Sequence, residues 1–485
     1  MTEPKPPAKR RSKKPYYDAS KALRVERFFE QFLRHTKGRW AGQPFILEPW
    51  QREQIIQPLF GTRQQDGRRQ YAEGLVGLPR KSGKSELAAG IALYGLVADG
   101  ESGAEIYSVA GSKQQASIVF KTAADMVRAS PLLRSACKVY RSVIEFPETG
   151  SIYRALASDA NLAHGYNPHM AIVDELHVHP NSELYEAMRT GTAARLEPLI
   201  LSITTAGAER SGIAWDLYQR GLSKQDKKLF LYWQSAPDGC AIDDLKAWDA
   251  ANPASWITHD FLRQQMPPSL PEQVFRRLHL NQWFEQGAAM NWVPRDRWEE
   301  GNTKPVFDES LPCVIGVDAA SRRDTTAVCL LQRDAEGIHN ARFWLFESDR
   351  QMGYLDYSVV EDLIRDLCST YWVARLAFDP FQMVRTQQIL ASEGLPAETF
   401  PQNDARMVPA SQNLYDIVMS GRLRHGGVEE ITEQVMAAGI RETARGWRLE
   451  KKKSSAPIDA VIALAIASQL AEFESDLSSP NVMIV

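Results

Sequence analysis

The stretch LVGLPRKSGKSELAAG, residues 75–90, decides the reading of this chain. It opens apolar, as a buried strand does, passes through a small and basic middle, and ends in residues that favour a helix. A strand that runs into such a loop delivers Gly83, Lys84 and Ser85 to a helix start. Orphan backbone N–H groups there, with the Lys84 ammonium, suit phosphate oxygens, and the Ser85 hydroxyl suits Mg²⁺. The loop departs from the usual pattern: Leu78 stands where the first glycine is expected, and the nearest glycine, Gly77, lies one place further out. A basic turn ahead of a buried helix is the alternative reading.

HMAIVDELHVH, residues 169–179, is a short apolar strand ended by two acids. Asp174 is placed to hold Mg²⁺ and Glu175 to polarise the water that attacks a γ-phosphate. Nucleotide hydrolysis is the reading the two stretches give together. In LILSITTAG, residues 199–207, Thr204 and Thr205 suit sensing of the γ-phosphate, with capping hydroxyls as the plain alternative. Gln51, in a helix expected after Pro49, is either an adenine-contacting amide or an ordinary helix-start residue. That helix should bury Trp50, Ile55, Ile56 and Leu59, and an earlier one Leu23, Phe28, Phe29 and Phe32.

Strands are expected at 75–77, 105–109, 139–146, 151–155, 171–173 and 199–204, with helices at 84–97, 113–128 and 184–191. This alternation predicts an α/β fold with a parallel-rich sheet covered on both faces and its chemistry at the carboxyl ends of the strands. Residues 250–285 are proline-punctuated short helical pieces, read as a connector without a catalytic constellation.

A second chemical centre follows. CVIGVDAASRRDTTAVCLL, residues 313–331, presents Asp318 on a strand, VARLAFDPFQ, residues 373–382, ends its strand at Asp379, and Asp459 opens the apolar helix from 458. An acid entering an apolar helix is costly unless something offsets its charge, and a metal does. Three such carboxylates suit two divalent ions, one activating water and one stabilising a leaving 3′ oxygen. Turn and helix caps are the alternatives, and Asp324, beside Arg322 and Arg323, is a fourth candidate ligand.

At 485 residues the chain exceeds what one core usually supports. Its five cysteines are scattered and odd in number, as in a reducing compartment. The net charge of −3 argues against a uniformly basic nucleic-acid coat, although basic clusters stand at residues 9–14 and 451–453. No signal peptide is expected, and 457–470 is too short for a membrane span and carries Asp459, so a soluble intracellular protein is expected.

Read in order, these elements resemble the large terminase subunit of tailed bacteriophages, the HK97-type branch, over roughly residues 45–470. The resemblance implies an N-terminal P-loop (ASCE) ATPase, a connector, and a C-terminal RNase H-like α/β nuclease. The implied boundaries are a basic arm and helix at 1–40, ATPase 41–245, connector 246–304, nuclease 305–475 and a tail at 476–485. By position, EPWQ (48–51) is similar to the adenine-side motif, and Pro79, Arg80, Lys81, Ser82, Gly83, Lys84 and Ser85 to the family's departed phosphate loop, with Arg80 and Lys81 both candidates for its added basic residue. Asp174 is similar to the Mg²⁺-binding acid, Glu175 to the catalytic glutamate, Thr204 and Thr205 to the coupling motif, and Asp318, Asp379 and Asp459 to the nuclease acids.

The implied cofactors are ATP with Mg²⁺ at the first site and two Mg²⁺ or Mn²⁺ at the second. The implied partners are double-stranded DNA, the small terminase subunit and the portal of the procapsid. The implied assembly is a homopentamer on the portal, in the host cytoplasm, with the state in isolation left open. A helicase- or repair-type ATPase with an attached nuclease, or a catalytically relic DNA-tethering or capsid-assembly protein, are the competing readings.

Overall fold

The computed structural model describes residues 14–111, 113–156, 165–179, 181–284, 291–319, 325–347, 355–443, 445–451 and 457–477. Asp324, Arg322 and Arg323, and the basic positions 9–13 and 452–453, lie outside the described residues. The chain forms two compact units, Met1–Met266 with Val274–Ala288, and Pro267–Gln273 with Ala289–Val485. Residues 246–304 are thus shared between the two units, and the Ala19–Phe32 helix belongs to the core of the first.

The first unit is built on an eight-stranded sheet in the order Leu229–Trp233, Glu73–Gly77, Leu199–Thr204, Met170–Asp174, Glu105–Val109, Ser151–Leu156, Val143–Phe146, Lys138–Val139. The first six strands run parallel and the last two antiparallel. An additional strand, Leu199–Thr204, therefore separates the strand of the first motif from that of the paired acids. All three of these strands are buried at every residue, which is why they read as continuous apolar runs rather than alternating ones. The Lys84–Val97 helix is apolar all round because it is buried nearly all round. Small residues let it lie close to its neighbours, with Gly90 against Phe29 and Leu33 and Gly95 against Met170.

Several expectations change. The single strand at 139–146 is two antiparallel strands, reversed where Tyr140 N–H donates to the Val143 carbonyl at 2.8 Å. That turn contains no glycine or proline to announce it. Leu23 is 42% exposed, and Ala22 and Val25 join Phe28 and Phe29 on the buried face in its place. Trp50 is half-buried and stacks near Tyr232, with ring centroids 6.2 Å apart. The five cysteines are free thiols, and no helix among the described residues is long and apolar enough to cross a membrane.

The second unit carries a six-stranded mixed sheet in the order Ala397–Thr399, Val373–Phe378, Cys313–Ala319, Thr326–Arg333, His339–Phe346, Leu423–Arg424. Cys313–Ala319, Thr326–Arg333 and His339–Phe346 form an antiparallel meander, and Val373–Phe378 pairs parallel to the first of them. The Asp459–Leu477 helix crosses Cys313–Ala319 at Gly316, where any Cβ would overlap the Ala463 carbonyl. Backbone packed on backbone has no side chain to rearrange. Gly316→Ala is therefore expected to cost about 3 kcal/mol, measured as a lower unfolding midpoint of the full chain.

Candidate active sites

In the first unit three parallel strands end at one edge. Gly77 pairs with Thr204, and Ile203 pairs with Asp174. Leu78 N–H extends the ladder to the Thr204 carbonyl at 3.1 Å, after which the chain must turn sharply to enter the helix. Lys81 and Gly83 make that turn in the left-handed region, with φ of 70° and 79°. Ser82 Oγ donates to the Pro79 carbonyl at 2.7 Å, and Lys84 Nζ sits inside the loop, donating to the Leu78 and Pro79 carbonyls at 2.8 and 2.9 Å. Burial pushes the Lys84 pKa down, opposed by the charges of Glu175 and Asp174. Ser85 follows in the first helical turn, half-buried. Arg80 and Lys81 are both exposed, yet they differ in surroundings: the Arg80 charge acts on Lys84, Arg277 and His279, while Lys81 borders a separate cavity.

Asp174 is 3% exposed, and its Oδ1 has no hydrogen-bond partner among the described residues. Burial, then the charge of Glu175, pushes its pKa up. Glu175 holds φ at 47°, a conformation costly for a residue with a side chain and concentrated at functional sites. Burial works to raise its pKa, but hydrogen bonding from His177 and the charge of Lys84 hold it below the usual carboxylate range. His177 Nδ1 lies 3.3 Å from Glu175 Oε2 and 2.9 Å from Thr204 Oγ1. Thr204 Oγ1 in turn donates to the Thr205 carbonyl at 2.9 Å, and the Thr205 backbone also bonds Glu175.

The orphaned Asp174 oxygen is a hard donor that fits a small, hard cation such as Mg²⁺. Protons then compete with the metal for Asp174. The Mg²⁺ concentration for half-maximal ATP hydrolysis should rise about tenfold between about pH 8 and about pH 6, measured by Mg²⁺ titration.

The segment expected to be a bare connector supplies part of this site. Trp256 Nε1 donates to the Lys81 carbonyl at 2.8 Å, and the Leu278 carbonyl accepts Arg80 N–H at 2.7 Å. Asn281 accepts from Ala206 N–H at 2.7 Å and donates to the Gln234 carbonyl at 2.8 Å, which fixes the turn after Thr205. Arg277 is buried, reaches the Ala206 carbonyl at 3.4 Å, and acts on the charge of Glu175. Burial pulls its own pKa down to about 10. In the sequence these are isolated polar and aromatic residues without a diagnostic spacing. Gln51 is buried, and its Oε1 accepts Glu48 N–H at 3.0 Å in a capping box, so its helix-start role is present in the structure.

In the second unit, Val317 pairs with Phe378, so Asp318 and Asp379 follow at the ends of neighbouring parallel strands. Asp459 is the first residue of the C-terminal helix. Burial, then the charges of Asp459 and Asp379, push the Asp318 pKa well above the usual range, so the three carboxylates share one electrostatic environment. Two residues that the sequence reading did not single out hold them. Thr325 Oγ1 donates to Asp459 Oδ2 at 2.7 Å and Gln402 Nε2 to Asp318 Oδ1 at 2.6 Å. Arg448 anchors the Gln402 carbonyl at 2.7 Å. Among the described residues no group of three or more His, Cys, Asp or Glu is gathered closely enough to hold a metal ion. As a donor set, mutually repelling carboxylate oxygens fit hard divalent cations.

A family model described as "Terminase large subunit, ATPase domain" matches residues 49–221, and one described as "Terminase large subunit, endonuclease domain" matches residues 334–474. The chain belongs to the terminase large-subunit family. The chain is 27% identical over 490 residues to the "Terminase, large subunit" of Enterobacteria phage HK97, covering 92% of this chain and 94% of that one. It is 26% identical over 365 residues to "Protein YmfN" of Escherichia coli strain K12, covering 65% of this chain and 80% of that one. A solved large terminase from a thermophilic bacteriophage is 12% identical with a TM-score of 0.52, covers 88% of this chain and 96% of that one, and bears on the fold alone. The chain thus joins a P-loop (ASCE-like) ATPase domain to an RNase H-like nuclease domain, and is an enzyme of both kinds. The endonuclease match includes Asp379 and Asp459 but begins after Asp318.

Proposed function

We propose that this chain is the ATP-driven motor that draws double-stranded DNA into a procapsid and cuts concatemeric DNA to begin and end each round. One observation carries the reading: His177, hydrogen-bonded to Thr204 through its backbone N–H and Nδ1, holds Nδ1 3.3 Å from Glu175 Oε2, so the residue placed beside the reacting phosphate lies against a group fixed to the strand that pairs with the phosphate loop. Loss of the γ-phosphate then has a direct route into a neighbouring strand and the turn after it.

In this mechanism the loop amides and Lys84 bind the β- and γ-phosphates, exchanging two loop carbonyls for phosphate oxygens. Ser85 and Asp174 would hold Mg²⁺, which when bound neutralises charge developing on the phosphates. Arg80, whose charge acts at Lys84, is the basic residue that stabilises the transferring phosphoryl group, and Lys81 borders the neighbouring cavity instead. Glu175, kept ionised, orients the attacking water, while Thr204 and Thr205 sense the outcome. In the nuclease unit Asp318, Asp379 and Asp459 would hold two Mg²⁺ or Mn²⁺, which lower the pKa of water and stabilise the leaving oxygen. Thr325 and Gln402 fix the orientation of two of those carboxylates.

The small terminase subunit, the portal and a homopentameric ring on it are the partners proposed, in the host cytoplasm with transient docking on the procapsid. A helicase reading finds little support, because the second unit's sheet is a mixed one led by an antiparallel meander and not a second P-loop motor. With its small subunit, procapsids and ATP, the full chain is expected to render duplex DNA resistant to nuclease. Hydrolysis without protected DNA, or strand separation on a blunt duplex, would overturn the proposal.

A further inference from the structure

A carboxylate that ligates a cation is aimed by the hydrogen bonds made to it from behind. For Asp318 one such donor is Gln402 Nε2, 2.6 Å from Oδ1. An amide suits this place, because it donates without bringing a charge that would compete with the cation. An amide on a long side chain aims well only if its own backbone is fixed.

Gln402 lies in the short segment 400–403, between the Ala397–Thr399 strand and the Asp404–Met419 helix. At one end of the segment Phe400 N–H donates at 2.7 Å to the carbonyl of Phe378, the residue before Asp379. At the other end Asn403 caps the helix, its side chain accepting Arg406 N–H at 3.2 Å. Between them the Gln402 carbonyl accepts from Arg448 Nη1 at 2.7 Å. Arg448 belongs to a hairpin, in which Gly446–Lys451 pairs antiparallel with Ala438–Thr443 and sets Arg441 opposite Arg448. Both arginines reach Asp404 Oδ1, at 2.7 Å from Arg441 and 3.4 Å from Arg448. The hairpin is seated on the same helix, where Leu449 N–H donates to Ser411 Oγ at 3.0 Å and Trp447 Nε1 to Gln412 Oε1 at 2.8 Å. A continuous line of hydrogen bonds therefore runs from the hairpin, through the Gln402 backbone and amide, to the Asp318 carboxylate.

We propose that Gln402 and Arg448 are positioning residues of the nuclease: Arg448 fixes the Gln402 backbone, and Gln402 sets the Asp318 carboxylate at the angle its cation requires. This rests on the reading of Asp318 as a metal ligand given above. Both residues act through Asp318 and not on the scissile phosphate. The hairpin is thereby linked to cation binding, and a shift that breaks the Arg448 bond weakens the site without touching a ligand.

Mn²⁺ binding to the full chain without nucleotide, read from the electron paramagnetic resonance signal of the free ion, tests this. The sites that Asp379→Ala lacks are those of the nuclease. Gln402→Met, which keeps the side-chain length and removes the donor, should raise their Kd about tenfold, the usual cost of losing such a partner. Arg448→Ala should raise it about fivefold, and Arg448→Lys, which can still supply one donor, should restore most of the affinity. The double variant Gln402→Met with Arg448→Ala should bind no more weakly than Gln402→Met alone, since the arginine acts through the glutamine. Unfolding midpoints in chelator should match the wild type. Wild-type Kd in Gln402→Met, additive losses in the double variant, or a lower midpoint in chelator with Kd unchanged would each overturn the positioning role. Wild-type Mn²⁺ binding in Asp318→Asn would instead overturn the ligand reading, and the positioning role with it.

Discussion

Lys84→Ala is expected to lower ATP hydrolysis by about a thousandfold while metal-dependent plasmid cleavage by the same preparation stays within about twofold. Lys84 Nζ is the buried cation that the loop aims inward, where it donates to the Leu78 and Pro79 carbonyls. On the proposed mechanism, a β- or γ-phosphate would take the place of those carbonyls at the ammonium. Burial makes its charge costly, and Glu175 and Asp174 offset that cost, so the lysine and the two acids form one interacting set of charges. Removing the lysine leaves Asp174, already raised by burial and Glu175, without its compensating charge. ATP binding should therefore weaken along with turnover, and a variant that hydrolyses ATP at the wild-type rate would contradict this role.

Asp379→Ala is expected to show the reverse, with cleavage in Mg²⁺ or Mn²⁺ lower by about a thousandfold and ATP hydrolysis unchanged. The companion variant Asp318→Asn separates the metal role from a structural one. Asp318 is buried and its pKa is raised by burial and by the charges of Asp459 and Asp379, so its ionised form opposes folding when no cation is bound. A carboxyl whose folded pKa lies above its unfolded one favours folding fully below the unfolded value, and that favour is lost as pH rises through the folded pKa. With chelator present, the nuclease unit should unfold more readily at about pH 8 than at about pH 5, and Asp318→Asn should flatten that slope while abolishing cleavage. Added Mg²⁺ should stabilise the wild type and leave the variant unmoved. A variant that lost cleavage and also lost stability in chelator would mark Asp318 as a packing residue.

Much of the first site was legible because its chemistry follows from local rules. A phosphate loop needs a buried strand, a turn through the left-handed region and a helix start, all within one short stretch, and Gly83 with Lys84 and Ser85 satisfies them in place. The acids at 174 and 175 were legible for the same reason, as was Asp379 at the end of its strand. What escaped has no local signature. Tyr140 reverses the chain without glycine or proline, and Leu23 loses its place on the buried face to Ala22 and Val25, because the direction in which the helix meets the core is set by its partners and not by its own sequence. Trp256, Arg277 and Asn281 read as unremarkable residues of a proline-punctuated stretch, and the fold sets each of them against the loop or the turn after Thr205.

The sequence by itself determined the two kinds of phosphate chemistry, because helix starts, strand-end acids and strand burial are properties of adjacent residues. Tertiary structure alone decided how those groups are tuned: Glu175 kept ionised beside Lys84 and His177, Asp318 raised by two other acids, and a tryptophan from beyond the sheet bonded to Lys81. Charge and solvent exclusion act across space over a few ångströms, and sequence separation does not encode that distance.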